Sequence, residues 1–359
     1  YLTIVRVQYA EGEPQLYTLP LAYATGADAE HLATTVPHAV IAQVQRAGAA
    51  PAGYLYDPMW SPRFAQGLLT TVAGRRRVPG QYGVLAPLAT PVLRTARAAP
   101  RSQLTPAVLQ AAHNNTTLLY GTRVVLKLFR CIDEGLNPDL EMGRFLTDHG
   151  FAHTPPVAGA LTYTPHRGES MSVAIVQRYV PNQGELRDVL QTALHASFAR
   201  VRGRRAPATP PLCAQTVLAY GGDAPSPAVQ AVLGEVRALA QVLGQRTAEM
   251  HLTLASDPTA PAFAPVPFTA FYQRALYQAE RSRVGRVLAA LHTQLPRLPA
   301  EAQAQASRLL TLREPLVQRF QQIAQQPIRA QRLRCHGDFH LGQVLVTGAD
   351  LMLMDFEGQ

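Results

Sequence analysis

Two short acidic motifs near the end of the chain, at residues 336–338 (HGD) and 355–357 (DFE), constrain the fold more than any other feature. The apolar residues 344–346 and 351–354 between them predict two short strands, and residues 348–350 (GAD) are typical of a tight turn. A hairpin of this kind brings its two ends together. We therefore expect Asp338 and Asp355 to lie at the same end of one hairpin.

The residue types at this end of the predicted hairpin match those of Mg2+-assisted phosphoryl transfer. Asp338 is a candidate catalytic base that accepts the proton of a substrate hydroxyl, and Gln343 and Asp355 are candidate oxygen ligands of Mg2+ on the phosphates of ATP. Each motif alone would also suit an ordinary turn at a strand end, whereas the pair at this spacing is far more specific. The sequence predicts a small-molecule kinase with ATP and Mg2+ as its cofactors.

Lysine usage points independently to the same chemistry. Lysine and arginine together number 33, and Lys127 is the single lysine of the chain. It lies in the apolar stretch 123–129, which predicts a strand, where a charge that serves only solubility is not expected. Kinases place a compact ammonium group on such a strand to pair with the α- and β-phosphates, and a guanidinium group is not equivalent. The alternative is a surface lysine on an edge strand.

A helix is predicted shortly after the lysine strand. Asn137 is a good N-cap, Pro138 suits the first helical position, and Asp139 suits the positive end of the helix dipole. Glu141 on this helix is the natural ion-pair partner of Lys127, by analogy with the lysine–glutamate pair of kinases. A solvent-exposed glutamate is the alternative for this position.

Two further segments are candidates for contacts with the nucleotide. Residues 114–117 (NNTT) stand where a kinase has its phosphate-covering loop, and their backbone N–H groups and hydroxyls suit phosphate, although they are also good turn formers. Residues 177–179 fall at the hinge position that would bind adenine. The candidate nucleotide-binding residues are Lys127, Glu141, Asn115, Thr116, Thr117, Gln177 and Tyr179.

Histidines cluster around the first acidic motif. We assign His336 and His340 to the substrate side of the site in supporting roles, because Mg2+ prefers oxygen ligands to imidazole.

The order of elements along the chain predicts an α+β class with a bilobal protein-kinase-like fold. Residues 1–95 predict a strand-rich N-terminal cap subdomain, residues 96–181 a kinase N-lobe with the lysine strand, and residues 182–359 a helical C-lobe that is incomplete at its C-terminus. Strands are predicted at residues 3–9, 15–22, 39–46 and 171–179, and helices at residues 61–72, 185–202, 228–255, 269–291 and 301–325.

Composition excludes several other classes. The net charge of +9 is spread over arginines, and the basic runs at residues 75–77 and 200–205 contain no aromatic residues, so nucleic acid is not expected as a partner. No apolar run approaches the ~20 residues of a membrane span, and three scattered cysteines favour a reducing cytoplasm over a disulfide framework. We expect the chain to continue beyond both ends.

On these residues the chain resembles the maltokinases, a branch of the aminoglycoside-phosphotransferase-like kinases that is often fused to a trehalose synthase. The matching segments are residues 114–117 (NNTT), 125–130 (VLKLFR), 135–141 (GLNPDLE), 180–184 (VPNQG), 247–251 (TAEMH), 336–345 (HGDFHLGQVL) and 355–358 (DFEG). The resemblance implies transfer of phosphate from ATP to the anomeric hydroxyl of maltose, and association or fusion with a trehalose synthase.

Two features depart from the broader pattern, and three functions remain open. The wider kinase fold usually has asparagine at the position of Gln343, and the family pattern continues past residue 358 into helices that contribute to the sugar site. The alternatives are a sugar 1-kinase, a kinase of another hydroxylated molecule such as an aminoglycoside or a choline-like amine, and a non-catalytic kinase-like module of a trehalose synthase assembly. The arginine-rich helical region argues mildly against cationic substrates.

Overall fold

The structure is a computed structural model that describes residues 1–45, 53–74, 76–98, 104–111, 115–202 and 227–357. The chain divides into two compact units, one formed by Tyr1–Leu254 with Cys335–Gln359 and the other by Ala255–Arg334. Asn114, Arg75, one of the three cysteines (Cys213) and residues 203–205 of the second basic run lie outside the described residues.

The N-terminal half is rich in strands, and helices dominate later. Up to residue 98 the elements are β1 (Leu2–Val7), β2 (Gln15–Pro20), β3 (Ala22–Ala24), α1 (Gly26–Thr35), β4 (Val40–Val44), β5 (Gly53–Tyr56), α2 (Pro62–Gly74), β6 (Val78–Pro79), β7 (Gly83–Ala89) and α3 (Pro91–Arg97). Next come β8 (Pro106–Ala111), β9 (Asn115–Tyr120), β10 (Val124–Phe129), β11 (Cys131–Ile132), α4 (Pro138–Asp148), β12 (Val157–Pro165) and β13 (Met171–Arg178). The remainder is α5 (Leu186–Val201), α6 (Pro227–Leu254), β14 (Val266–Pro267), α7 (Ala270–Gln294), α8 (Ala300–Leu310), α9 (Arg313–Gln321), β15 (Gln331–Arg332), β16 (Val344–Thr347) and β17 (Asp350–Leu353).

A seven-stranded antiparallel sheet organises the first unit. Its strand order is β6-β7-β12-β13-β10-β9-β8, so the strand that carries Lys127 is interior and has a partner on both sides. The smaller sheets β1-β2-β11 and β3-β5-β4 complete the strand-rich part. The boundary predicted near residue 95 therefore lies between strands of one sheet, because β6 and β7 precede it and the other five strands follow it.

Strand alternation sends neighbouring side chains of β10 to opposite faces of this sheet. Leu126 and Leu128 are fully buried in the cluster that includes residues of α2 and α3. Phe129 packs in a second cluster with Leu140 of α4. Burial of each such side chain contributes about 1.5–3 kcal/mol. Lys127 alternates with these leucines and so shares the α4 face with Phe129, which positions its ammonium group next to that helix.

The predicted hairpin near the end of the chain is confirmed. Strands β16 and β17 pair antiparallel with Val344 opposite Leu353 and Thr347 opposite Asp350. Gly348 in the turn has a φ of 70°, which glycine adopts without the steric penalty of a side chain. The guanidinium group of Arg246 in α6 donates to both carboxylate oxygens of Asp350 at 2.8 Å, and this fixes the turn end of the hairpin to the helix.

The second unit is a helical insertion between α6 and the hairpin. Gln273 of α7 is buried, and its amide nitrogen donates to the carbonyl oxygens of Ile323 and Gln326 at 2.7 Å each. The prediction of one helix over residues 301–325 is wrong, because α8 ends at Leu310 and α9 begins at Arg313. No helix in the described part of the chain is long and apolar enough to cross a bilayer.

Candidate active site

Backbone hydrogen bonds join the two acidic motifs beyond the open end of the hairpin. The N–H of Glu357 donates to the carbonyl of His336 at 2.8 Å, and the N–H of Met354 donates to the carbonyl of Gln343 at 3.0 Å. The side chain of His336 adds a 2.9 Å hydrogen bond to the carbonyl of Met354. The HGD and DFE motifs therefore meet at one end of the hairpin, as the sequence predicts.

Asp355 begins the second motif in an unusual backbone conformation. Its φ of 62° lies in the left-handed region, and among the described residues it is the one non-glycine residue with a positive φ. Aspartate tolerates this region better than most residues, but the conformation still costs free energy and persists where its surroundings impose it. This turn directs the carboxylate of Asp355 away from the path of β17 and towards β10.

Lys127 connects this motif to α4. Its Nζ lies 2.7 Å from Oδ1 of Asp355 and 3.1 Å from Oδ2 of Asp139. The prediction of Glu141 as the partner on the helix is corrected to Asp139. Successive helical residues turn by about 100°, so Glu141 lies about 200° around the axis from the carboxylate that contacts the lysine.

Neighbouring carboxylates keep Lys127 protonated. Burial acts to lower the pKa of Lys127, but the carboxylates of Asp139 and Asp355 outweigh burial and raise the pKa above its usual value. Burial raises the pKa of Asp139, and the ammonium group of Lys127 opposes that change. Asp139 also accepts a 3.3 Å hydrogen bond from the N–H of Phe356, so one buried carboxylate binds both the lysine and the second motif.

A cavity of about 420 Å³ opens beside Lys127, which is within the size range of small-molecule sites. Its wall includes predicted nucleotide-binding residues from β9, from β10 and from the end of β13, together with the hairpin. The lining residues are Leu109, Asn115, Thr117, Leu119, Val125, Lys127, Pro155, Gln177, Arg178, Tyr179, Val180, Asn182, Leu345, Met354 and Asp355. The structure therefore brings together Asn115, Thr117, Gln177 and Tyr179 with the lysine.

Thr116 does not belong to this cavity. Residues 115–117 lie within β9 and not in a turn, so Thr116 projects to the opposite face of the sheet from Asn115 and Thr117. There it is buried and accepts a 2.9 Å hydrogen bond from Nε of Arg130. The prediction of a phosphate-covering turn that includes Thr116 is wrong.

Gln177 presents an unpartnered polar group at the wall of the cavity. Its side chain is buried, and within the described part of the chain its amide nitrogen has no hydrogen-bond partner. A buried amide without a partner is costly, which is a common property of a group that serves a ligand. The backbone N–H of Tyr179 is already bonded to the carbonyl of Arg123 at 2.9 Å.

Asp338 lies on the exposed side of the site, beside His340. Nδ1 of His340 accepts a 3.0 Å hydrogen bond from the N–H of Gly342, so the proton of the neutral ring is on Nε2. That nitrogen lies 3.5 Å from Oδ2 of Asp338. About half of the Asp338 side chain stays accessible to a substrate.

The structure corrects the assignment of His336 to the substrate. Its side chain is 1% exposed, between the rings of Phe339 and Phe356 and under the two motifs. Burial lowers its pKa, so the ring is neutral at pH 7 and its Nε2 donates to the carbonyl of Met354. His336 supports the backbone of the site and has no free path to a substrate.

The donor set of the hairpin end fits Mg2+ on a nucleotide. Asp355 supplies carboxylate oxygens and Gln343 an amide oxygen, and the backbone bond from Met354 to Gln343 brings the two positions together. Within the described ranges, no group of three or more His, Cys, Asp and Glu side chains could hold a metal alone. Mg2+ commonly binds through one or two protein oxygens and completes its shell with phosphates and water.

Comparison with solved structures establishes the fold. One similar structure is a glucosamine kinase in complex with glucosamine, ADP and inorganic phosphate. The match covers 100% of this chain and 67% of the kinase chain, with 19% identity and a TM-score of 0.54. A second is crystal form A of a glucosamine kinase. That match covers 100% of this chain and 66% of the kinase chain, with 20% identity and a TM-score of 0.52. The chain has a kinase-like fold of the α+β class, as the sequence predicts.

The chain spans about two thirds of the length of these two glucosamine kinase chains. Crystal form B aligns over 82% of this chain and 58% of its own length, with 21% identity and a TM-score of 0.48. No family model matches the sequence.

Sequence reasoning missed the pairing of Asp139 with Lys127 and the apolar wall of the cavity. Val125 could have been found, because it lies two positions before Lys127 in the same strand and therefore on the same face. Leu345 lies within β16 and Met354 follows β17, and an apolar side chain in either place gives no signal that separates a cavity wall from a core.

Proposed function

We propose that this protein is an ATP- and Mg2+-dependent phosphotransferase that phosphorylates a hydroxyl group of a sugar. The observation that carries the proposal is Lys127, held between Asp139 and Asp355 at the wall of a nucleotide-sized cavity. A charged, buried ammonium group paired with a carboxylate that follows a hairpin is the arrangement that kinases use to position phosphates. The glucosamine kinases with the same fold support this proposal.

The nucleotide side of the reaction follows from the cluster. Lys127 pairs with the α- and β-phosphates, and Asp139 keeps the lysine in place from the helix. Gln343 and Asp355 would hold Mg2+, which supplies positive charge against the phosphate oxygens and so stabilises the transition state. Gln177 and the apolar side chains of Val125 and Leu345 line the part of the cavity that would bind the base.

The acceptor side follows from Asp338. In this account, its exposed carboxylate accepts a hydrogen bond from the substrate hydroxyl and takes the proton as the new oxygen–phosphorus bond forms. Nε2 of His340 lies 3.5 Å from Oδ2 of this carboxylate. The bond between the γ-phosphorus and the bridging oxygen breaks, and ADP leaves.

We propose maltose as the acceptor, phosphorylated at its anomeric hydroxyl to give maltose 1-phosphate. The motif resemblance to the maltokinases supports this choice. The anomeric hydroxyl is the most acidic on the sugar, so its proton is the easiest for the Asp338 carboxylate to accept. Association with a trehalose synthase and a cytoplasmic location remain predictions from the sequence.

Glucosamine is the second candidate acceptor, because the kinases of matching fold are named for it. The two acceptors differ in charge: glucosamine carries an ammonium group at neutral pH and maltose is neutral. The formal net charge of the chain is +9, which favours the neutral sugar on electrostatic grounds.

The proposal is tested by measuring ADP release from ATP and Mg2+ with each of five candidate acceptors: maltose, glucose, glucosamine, an aminoglycoside and choline. We expect ADP release above the water-driven background with maltose and a smaller value of kcat/KM for the other compounds. Methyl maltoside, whose anomeric oxygen is blocked, should bind without reacting. Preferred turnover of glucosamine would replace maltose as acceptor, and absence of ADP release with every compound would leave a non-catalytic kinase-like module.

A further inference from the structure

The positive charge of the chain is concentrated in its second compact unit. Residues Ala255–Arg334 contain eleven arginines, no lysine and four acidic residues, so this unit has a formal net charge of +7 out of +9 for the whole chain. The much longer first unit holds the remaining +2. Like charges in one small unit repel one another, and an acidic partner would relieve that repulsion.

Helix α7 (Ala270–Gln294) presents a basic face. Arg274, Arg281 and Arg286 are all exposed, and at 3.6 residues per turn they fall within about 140° of one another around the helix axis. Along the axis they span roughly 18 Å. Within the described part of the chain none of the three pairs with a carboxylate, and Arg274 donates to the carbonyl of Ala270 in its own helix.

The helix itself does not neutralise this face. Its single acidic residue, Glu280, lies about 100–120° around the axis from each of the three arginines. The Glu280 side chain is 17% exposed and forms a 3.0 Å ion pair with Arg283. The charge of the three arginines is therefore available to a partner.

Small side chains fill the sector of the helix between these arginines: Ala275, Ser282, Gly285 and Ala289. A Cβ added at Gly285 would meet nothing within 4 Å, so the centre of the face is shallow and open. Near its N-terminal end lies Phe271, whose side chain is 77% exposed. A shallow centre allows the backbone of a partner to approach closely, and an exposed aromatic ring is a common anchor at protein interfaces.

We propose that this basic face of α7 is a docking surface for an acidic α-helix of a partner protein. Charge complementarity selects an acidic partner, and a shallow, straight track suits a rod-shaped element with carboxylates along its flanks. An apolar centre bordered by arginines is the anatomy of a protein interface, whereas nucleic acid binds mainly through its phosphates and does not require the phenylalanine. The proposal does not depend on the phosphotransferase activity.

The probe is a helical peptide rich in glutamate and alanine that carries a fluorescein label. The same peptide with glutamine in place of glutamate is its control. We would titrate the protein into each peptide and record fluorescence anisotropy. Saturable binding is expected for the acidic peptide and not for the control, and the affinity should fall as salt is added, because salt screens exposed charges.

The decisive variant combines Arg274→Gln, Arg281→Gln and Arg286→Gln. Its affinity for the acidic peptide should fall about tenfold, as for loss of three exposed ion pairs. All three side chains are exposed, so the variant should fold, which far-ultraviolet circular dichroism and Tm check.

The matched control is a second triple variant, Arg6→Gln, Arg94→Gln and Arg97→Gln, at exposed arginines of the first unit. It lowers the net charge by the same amount and should bind the peptide as the unmodified protein does, which separates the position of the arginines from total charge. Phe271→Ala tests the anchor. Its affinity should fall about fivefold with unchanged Tm, because the ring is exposed in the free protein.

Three results would overturn the proposal. One is the absence of saturable binding of the acidic peptide. Another is an equal loss of affinity in the two triple variants, which would attribute binding to net charge alone. The third is tighter binding of single-stranded or duplex DNA than of the peptide, with the same dependence on the arginines of α7, which would assign the face to nucleic acid.

Discussion

The two acidic motifs meet at one end of the hairpin, but their carboxylates differ in their contacts: that of Asp355, 34% exposed, pairs with Lys127, whereas that of Asp338 is 51% exposed. Asp355 contacts Lys127 together with Asp139, whose side chain is only 3% exposed. Asp338 has half of its side chain in solvent and lies 3.5 Å from the equally exposed His340. The nucleotide side of the site is thus organised before any ligand binds, whereas the acceptor side is open.

This difference follows from the work that each side performs. Phosphates bring several negative charges, and charged groups held in place in a partly dry site stabilise them without reorganisation during the reaction. A base must reach a proton on a substrate that enters from solvent, so its carboxylate has to stay accessible. We therefore expect substitutions in the cluster around Lys127 to remove turnover almost completely. Substitutions on the open side should reduce kcat only partly.

The largest effect is expected from Asp355. Asp355→Ala should abolish turnover with the fold intact, because the Mg2+ that offsets the phosphate charge then loses a ligand. In Asp355→Asn, the asparagine tolerates the left-handed backbone, and kcat should fall about 10³-fold. Steady-state kinetics with far-ultraviolet circular dichroism measure both quantities. Asp350→Asn in the turn of the same hairpin is the control and should stay active. Normal turnover of Asp355→Ala would refute its role.

Lys127→Arg should cost roughly 10²-fold in activity, because a planar guanidinium cannot replace a point charge between two carboxylates. The unique lysine offers a second measurement. A lysine-reactive ATP analogue should label one internal position, as located by peptide mass spectrometry, and ATP should protect it. Labelling of the N-terminal amine alone would contradict this role.

Asp338→Asn should lower kcat by roughly 10²-fold while KM for maltose and ATP stays nearly constant, since a positioned base is lost and the binding contacts remain. Asp148→Asn, on an exposed turn of α4, is a matched control without an expected effect. A proportionate rise in KM with unchanged kcat would show that Asp338 binds the substrate and does not act as its base.

Asp139 and Glu141 lie on the same helix, so substituting each in turn tests which of them pairs with Lys127. Asp139→Asn should reduce kcat/KM about tenfold or more, because a charge-assisted hydrogen bond to the lysine is lost in a buried site. Glu141→Gln should change kcat/KM less than twofold, a rough bound for a residue on the far side of the helix. The reverse order of effects would restore the pairing predicted from the sequence.

The smallest effect is expected at the turn end of the hairpin. Arg246→Met removes the two hydrogen bonds to Asp350 and should lower Tm slightly without changing kcat at low temperature, since the active residues lie at the other end. Arg144→Met, which removes an exposed pair with Asp148, should leave Tm unchanged. A fall in kcat for Arg246→Met at low temperature would show that the clamp sets the geometry of the site.

The sequence predicts those features whose chemistry requires particular residue types. The hairpin, its two acidic ends and the unique Lys127 belong to this class. The pairing of Lys127 with Asp139 does not, because both Asp139 and Glu141 are carboxylates near the start of α4, and packing of Leu140 against the sheet decides which of them faces the lysine.

Tertiary context also explains the other differences. Residues 115–117 have good turn chemistry but pair with both β8 and β10, and strand alternation then separates Thr116 from its neighbours. Strand β12 gave no signal because its first five residues are all buried, so polar and apolar residues do not alternate there.

The most direct test of the central claim is the identity of the product. The protein would be incubated with ATP, Mg2+ and maltose, and the products analysed by 31P NMR and mass spectrometry. We expect one ADP for each molecule of maltose 1-phosphate, with no phosphorylated product from methyl maltoside. Phosphate on a primary hydroxyl, or turnover of methyl maltoside, would contradict the assignment of the anomeric hydroxyl. The absence of any phosphorylated sugar from the panel would contradict the phosphotransferase itself.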